Sequence, residues 1–190
     1  MSKRSRLRAI FCALAAVTAS MALAGTAGAS GGGVVIQAQD ACDPATFGPL
    51  CERSGESGKR VSFDRAIAEL GTKGSIGGWR FSPDKVNVHV GESVQAAIGR
   101  GGEGHTWTDV TTVGFQDRGC IAEINAAIFQ GDDSVSPICG PVIPEAGVPV
   151  LILQTFLPPD APATVDTSHA GTQLFQCVIH PWMHATVSVR

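Results

Sequence analysis

Near the C-terminus, four side chains have the types and spacing of a metal site. The segment Cys177-Val178-Ile179-His180-Pro181-Trp182-Met183-His184 places a thiol, two imidazoles and a thioether within eight residues. Thiolate and thioether are soft donors and imidazole is borderline, a set that suits copper moving between Cu(I) and Cu(II). A trigonal site of this kind needs one more imidazole from elsewhere in the chain. His105 is the natural candidate, because it opens a β-rich run after a glycine-rich turn. The expected set is Cys177, His105 and His180 in a plane with Met183 as a weak axial ligand, holding one copper ion per chain. With every position filled there is no place for a small-molecule substrate. The pattern therefore points to a carrier of single electrons and not to an enzyme.

Other arrangements of the same residues lead elsewhere. Cys177, His180 and His184 spell C-x-x-H-x-x-x-H, which with a fourth strong ligand would suit structural zinc. A copper chaperone or scavenger could use the same donors without redox turnover. A Met-rich trap is disfavoured, because Met1 and Met21 lie in the first 29 residues and Met183 is the remaining methionine. A cell-surface interaction domain built on the same scaffold is a further possibility. His89 alternates with valines expected in the core and so faces solvent, and His169 lies in a polar turn. Trp79 and Trp107 read as packing, and Trp182 with Pro181 as an apolar rim beside His180. Gly99, Gly101 and Gly104 spell G-x-G-x-x-G, but a β-rich run follows where a dinucleotide site needs a helix, so the glycines read as a turn.

The elements that must position these donors are mostly short strands. Trp79 onward shows a period of two: Val86, Val88 and Val90 alternate with Asn87 and His89, Gly91-Glu92 turns, and Val94, Ala96 and Ile98 follow. Thr106–Val113, Val148–Phe156, Ala163–Asp166, Thr172–Val178 and Ala185–Val189 read as further strands. Several short strands separated by turn signals predict an all-β sandwich over residues 79–190, with an insertion over 114–147 that breaks the alternation. Residues 30–78 read as a linker or N-terminal extension carrying one short helix, Ser62–Leu70, with Ser62 as its N-cap and Gly71 as its C-cap.

The first 29 residues read as a secretory signal: a basic stretch from Lys3 to Arg8, an apolar run from Ala9 to Ala24, and a small-residue cleavage site at Ala27-Gly28-Ala29. The apolar run is short for a bilayer span, so no membrane-spanning segment is expected after cleavage. Four of the 14 Lys and Arg, and none of the 17 Asp and Glu, lie in that segment, so the mature charge is −7. An acidic chain argues against nucleic acid as a partner and allows basic protein partners. Export, to the periplasm or the cell exterior, puts the cysteines in an oxidising compartment. The five cysteines beyond the signal are an odd number. Short-range pairing suggests Cys42–Cys51 and Cys120–Cys139, although other connectivities are open, and leaves Cys177 over.

In this order, His105 and then Cys177-x-x-His180-Pro181-x-Met183 resemble the copper ligands of small blue copper proteins, the cupredoxins, with a loop spacing most similar to amicyanin. Phe81-Ser82-Pro83, Val86, Val88, Gly91-Glu92 and Val94 resemble the opening strands of plastocyanin-like domains, and Thr186–Val189 resembles the closing strand. The likeness covers residues 79–112 and 148–190. It implies a Greek-key β-sandwich (cupredoxin-like) with a type 1 copper at one end, exchanging electrons with a redox protein donor and acceptor. Where plastocyanins and azurins often carry an Asn that ties the two ligand loops together, this chain has Thr106. Gln173 and Ala185 also replace residues common in the family.

Overall fold

The computed structural model describes residues 33–47, 51, 60–143 and 147–190. The expected signal sequence lies outside the described residues. Two four-stranded sheets form the body. The first is ordered β2–β1–β4–β8, from strands β1 (Val34–Gln39), β2 (Arg80–Ser82), β4 (Val94–Ile98) and β8 (Ala163–Thr164). The second is ordered β3–β10–β9–β5, from β3 (Lys85–Val88), β5 (Thr108–Asp109), β9 (Gly171–Gln176) and β10 (His184–Val189). β1 runs parallel to β4 and β3 parallel to β10, and the other pairings are antiparallel. This is the all-β sandwich expected from the alternation.

Period-two patterning explains which face each strand buries. Val86 and Val88 of β3, and Ala185, Val187 and Val189 of β10, point inward. They meet Ile36 and Ala38 of β1, Phe81 of β2, and Val94 and Ala96 of β4 in one continuous core. Trp107 bridges the layers: its ring stacks on Phe175 at 4.2 Å and meets Phe81 edge-on at 5.0 Å. Buried aromatic pairs of this kind stabilise beyond their area alone.

Three sequence expectations need correction. Val34–Gln39, read as part of a linker, is an interior strand of the first sheet. Ile36 and Ala38 are fully buried while Gln37 alternates outward, the signature of a strand packed on one face. Val148–Phe156, read as a strand, keeps a two-residue strand, β7 (Val148–Pro149), paired with β6 (Val142–Ile143), and then turns helical over Val150–Thr155. A short apolar run is compatible with either element. Here Ile152 is buried while Leu153 is exposed, and Thr155 Oγ1 donates to the Leu151 carbonyl one turn back. The helix after Ser62 is longer than expected, Phe63–Lys73. Ser62 caps it by accepting from Arg65 N–H, but the left-handed C-cap is Gly74, and Gly71 lies inside.

The insertion carries a helix, Ala122–Ile128, and its disulfide joins Cys120 to Cys139, while Cys42 joins Cys51. The insertion is sewn to the C-terminal loop. Cys120 N–H donates to Val178 O, and the buried Gln176 side chain donates to Gln116 O and Pro181 O while accepting from Gln116 N–H. The fully buried Asn125 holds Gly119 by both its N–H and its carbonyl, at 2.8 Å each. No helix among the described residues is long and apolar enough to cross a membrane.

Candidate metal centre

β9 ends at Gln176 and β10 begins at His184, so the residues between them form a loop at one end of the second sheet. Two backbone bonds close it: Cys177 N–H donates to Met183 O, and Met183 N–H donates to His180 O. Cys177, His180 and Met183 are all buried, and Cys177 is the free cysteine of the described residues. Met183 thus lies inside the same closed turn. His105 arrives from the strand-like segment just before β5, which is tied by the Thr106–Phe156 bridge and is fully buried.

Three of the four residues singled out from the sequence bring donor atoms together. One atom each from His105, Cys177 and His180 lies within 4.8 Å of the others. Cys177 Sγ is 3.6 Å from His180 Nδ1. An ion bonded at ordinary metal–nitrogen and metal–sulfur lengths of about 2.0–2.3 Å, with trigonal donors, would have those donors roughly 3.6–3.8 Å apart. The second imidazole leaves a further sign. His105 Nε2 is engaged by Asp40, so Nδ1 is its free donor, and that atom is buried without a hydrogen-bond partner. A buried acceptor left bare is costly unless something else satisfies it, and a metal ion would. The donor set and its spacing fit a copper ion.

Thr106 ties the two donor-bearing segments together. Its N–H donates to Cys177 Sγ at 3.4 Å, and its hydroxyl accepts from Val178 N–H at 2.8 Å. The two donor-bearing segments are therefore tied on either side of the sulfur. Thr108 donates to Thr106 Oγ1 and shares a hydrogen bond with Thr155, so the tie is continued into the helix that follows β7.

Two carboxylates were not singled out from the sequence. Asp40 Oδ2 lies 3.2 Å from His105 Nε2, and Glu103 Oε2 lies 3.2 Å from His180 Nε2. The pairing of Asp40 with His105 spans 65 positions and has no sequence signature.

These contacts set the charges of the protein chain by itself. Burial opposes a protonated His180, yet the Cys177 thiolate and the Glu103 carboxylate outweigh it and lift the pKa to about 10. Burial likewise opposes a charged His105, but Asp40 and Cys177 raise it. Burial would push the Cys177 thiol up, and the two imidazoles pull it well below an ordinary thiol. The sulfur is thus poised as a thiolate, the form that binds metal.

The remaining histidines stand apart from the cluster. His89 and His169 are exposed, as their sequence positions imply. His184 is half-buried at the start of β10 and stacks on Phe115 at 4.0 Å; burial lowers its pKa. It is not among the three converging donors, so the Cys177–His180–His184 zinc arrangement is not the one assembled. Trp79 packs in the core and donates to Glu103, and the Trp182 ring lies 5.5 Å from that of His180.

No family model matches the chain, and no curated protein matches it. Solved structures similar to it are cupredoxins. Amicyanin from Paracoccus versutus (Thiobacillus versutus) is 17% identical, with 66% of this chain aligned to 89% of that one at a TM-score of 0.33. A purple cupredoxin from Nitrosopumilus maritimus is 15% identical, with 64% aligned to 90% at 0.34. Plastocyanin from Dryopteris crassirhizoma, in its oxidised form, is 20% identical, with 60% aligned to 91% at 0.31.

Proposed function

We propose that this protein is an exported carrier of single electrons and that His105, Cys177 and His180, with Met183 as a weaker fourth donor, would hold one type 1 copper ion. The observation that carries this reading is the convergence of two imidazoles and a free thiol in a buried site, with His105 Nδ1 bare. Bound copper supplies a one-electron couple between Cu(II) and Cu(I).

The chain's own part is to hold the donors still while charge changes. Cys177 is fixed by Thr106 N–H and by its own backbone bond to Met183. His180 and His105 are each fixed by a carboxylate at the nitrogen remote from the sulfur. Burial of all four residues excludes water, so neither oxidation state acquires an extra ligand. Trp182 is partly exposed beside His180 and offers an apolar route for electrons to a redox protein partner. The acidic mature charge favours a basic face on that partner.

Cyclic voltammetry of the copper-loaded protein, with copper content followed in both states against a Cu(I) chelator, tests this function. The expected result is a reversible one-electron wave with copper retained on reduction. Transfer of the reduced copper to the chelator within one reduction cycle would instead establish a copper-handling protein.

A further inference from the structure

We propose that Asp40 and Glu103 are positioning residues for the metal site: each holds one imidazole through its Nε2–H and so commits both rings to ligation through Nδ1. This inference rests on the proposed metal site and adds the determinant of how its two histidines bind.

Asp40 directly follows β1 and is itself held on three sides. Its Oδ1 accepts from Cys42 N–H and Gly102 N–H at 3.3 Å each, and its Oδ2 accepts from Glu103 N–H at 3.1 Å while facing His105 Nε2. Gly101 in the glycine-rich turn makes room for this approach. Gly101 has φ +119, and a Cβ there would fall 2.0 Å from the Asp40 carboxyl carbon. Glu103 serves both histidines at once. Its backbone N–H holds Asp40, while its side chain receives Trp79 Nε1–H and lies on His180 Nε2. The G-x-G-x-x-G run thus reads as a cradle for the two carboxylates.

A ring whose Nε2–H is taken by a carboxylate has one tautomer when neutral, with its lone pair on Nδ1. Both rings are so constrained, and His180 Nδ1 approaches the sulfur at 3.6 Å. A carboxylate behind an imidazole also makes it a stronger donor, which stabilises Cu(II) more than Cu(I). The pair therefore holds the reduction potential down as well as fixing geometry.

The test uses the full mature protein. In the Zn(II)-loaded form, nitrogen-15 NMR should show two histidines with Nε2–H, slow to exchange with solvent, and with Nδ1 metal-bound. Asp40→Ala and Glu103→Ala should each weaken Zn(II) binding about 10- to 100-fold. Asp40→Asn and Glu103→Gln keep an oxygen acceptor but lose the charge. They should retain the tautomers and most of the affinity, yet raise the copper reduction potential, which a merely structural contact would not do; if an alanine variant fails to fold, these two decide. Ligation through Nε2, or Asn and Gln variants with wild-type potential, would overturn the proposal. A wild-type protein that shows these tautomers with zinc but no blue Cu(II) band would overturn the electron-carrier reading and leave the positioning role standing.

Discussion

The two sides of the candidate metal centre are built in opposite ways. On one side Cys177, His180 and Met183 lie within seven residues, and the loop that holds them closes by backbone bonds between its own members. On the other side nothing is local. His105 depends on Asp40, 65 positions earlier, on a glycine turn shaped around that carboxylate, and on Thr106, which reaches 72 positions forward to Val178. A local loop can offer soft donors almost by itself. Making those donors rigid requires the whole sandwich, including a strand near the N-terminus. The difference predicts that damage to the local side removes the site, and damage to the remote side loosens it.

The largest effect should come from Cys177→Ser. It removes the thiolate donor, and the intense sulfur-to-copper absorption should vanish; a blue band that survived would refute the ligand assignment. Next, Ile36→Ala in β1 should cost about 2–5 kcal/mol of stability, measured by denaturant unfolding, because the fully buried side chain sits in the core between the sheets. A loss under about 0.5 kcal/mol would mean that β1 is dispensable to the body. Gly101→Ala forces a Cβ into the Asp40 carboxylate at a positive φ. Zn(II) affinity measured by titration should fall about tenfold if Asp40 is displaced from His105; unchanged affinity would show that the cradle does not reach the metal.

Thr106→Val tests the tie between the two sides. It keeps the side-chain shape but leaves the Val178 N–H buried without its acceptor, at a cost of about 1–3 kcal/mol in thermal or denaturant unfolding. A neutral effect would show that another acceptor replaces the hydroxyl. The smallest effect lies in an exposed ion pair of the insertion. Arg118 holds the Asp132 carboxyl at a pKa of about 2, below its ordinary value of 3.8. A depressed acid contributes stability above its unfolded pKa and loses it as pH falls through the folded one. Asp132→Asn should therefore lower stability slightly at neutral pH, a small loss because the pair is exposed, and the difference from the wild type should vanish as pH falls from 3.8 through about 2. An unaltered acid unfolding curve would show that the pair is not formed in solution.

The local side was legible in the sequence because its chemistry is written in consecutive positions. The types and order of Cys177, His180 and Met183, with His105 upstream, point to a metal site, and one donor atom each of His105, Cys177 and His180 lies within 4.8 Å of the others. The alternating valines of β3 and β10 likewise gave the sandwich. The remote side was not legible, for physical reasons. The alternation of Ile36 and Ala38 with Gln37 and Gln39 is too brief to separate an interior strand from a linker. Asp40 and Glu103 look like ordinary surface acids until the fold buries them against imidazoles. The glycines at 99, 101 and 104 marked a turn correctly, but only the position of β1 reveals what the turn must accommodate. The helix at Val150–Thr155 was missed because Val, Leu and Ile in a short run satisfy both a strand and a buried helix, and packing makes the choice.

The most direct test of the electron-carrier account is the visible absorption and electron paramagnetic resonance spectrum of the mature chain loaded with Cu(II). The account predicts an intense blue thiolate-to-copper band together with narrow copper hyperfine splitting. A colourless protein with an ordinary Cu(II) signal would contradict it.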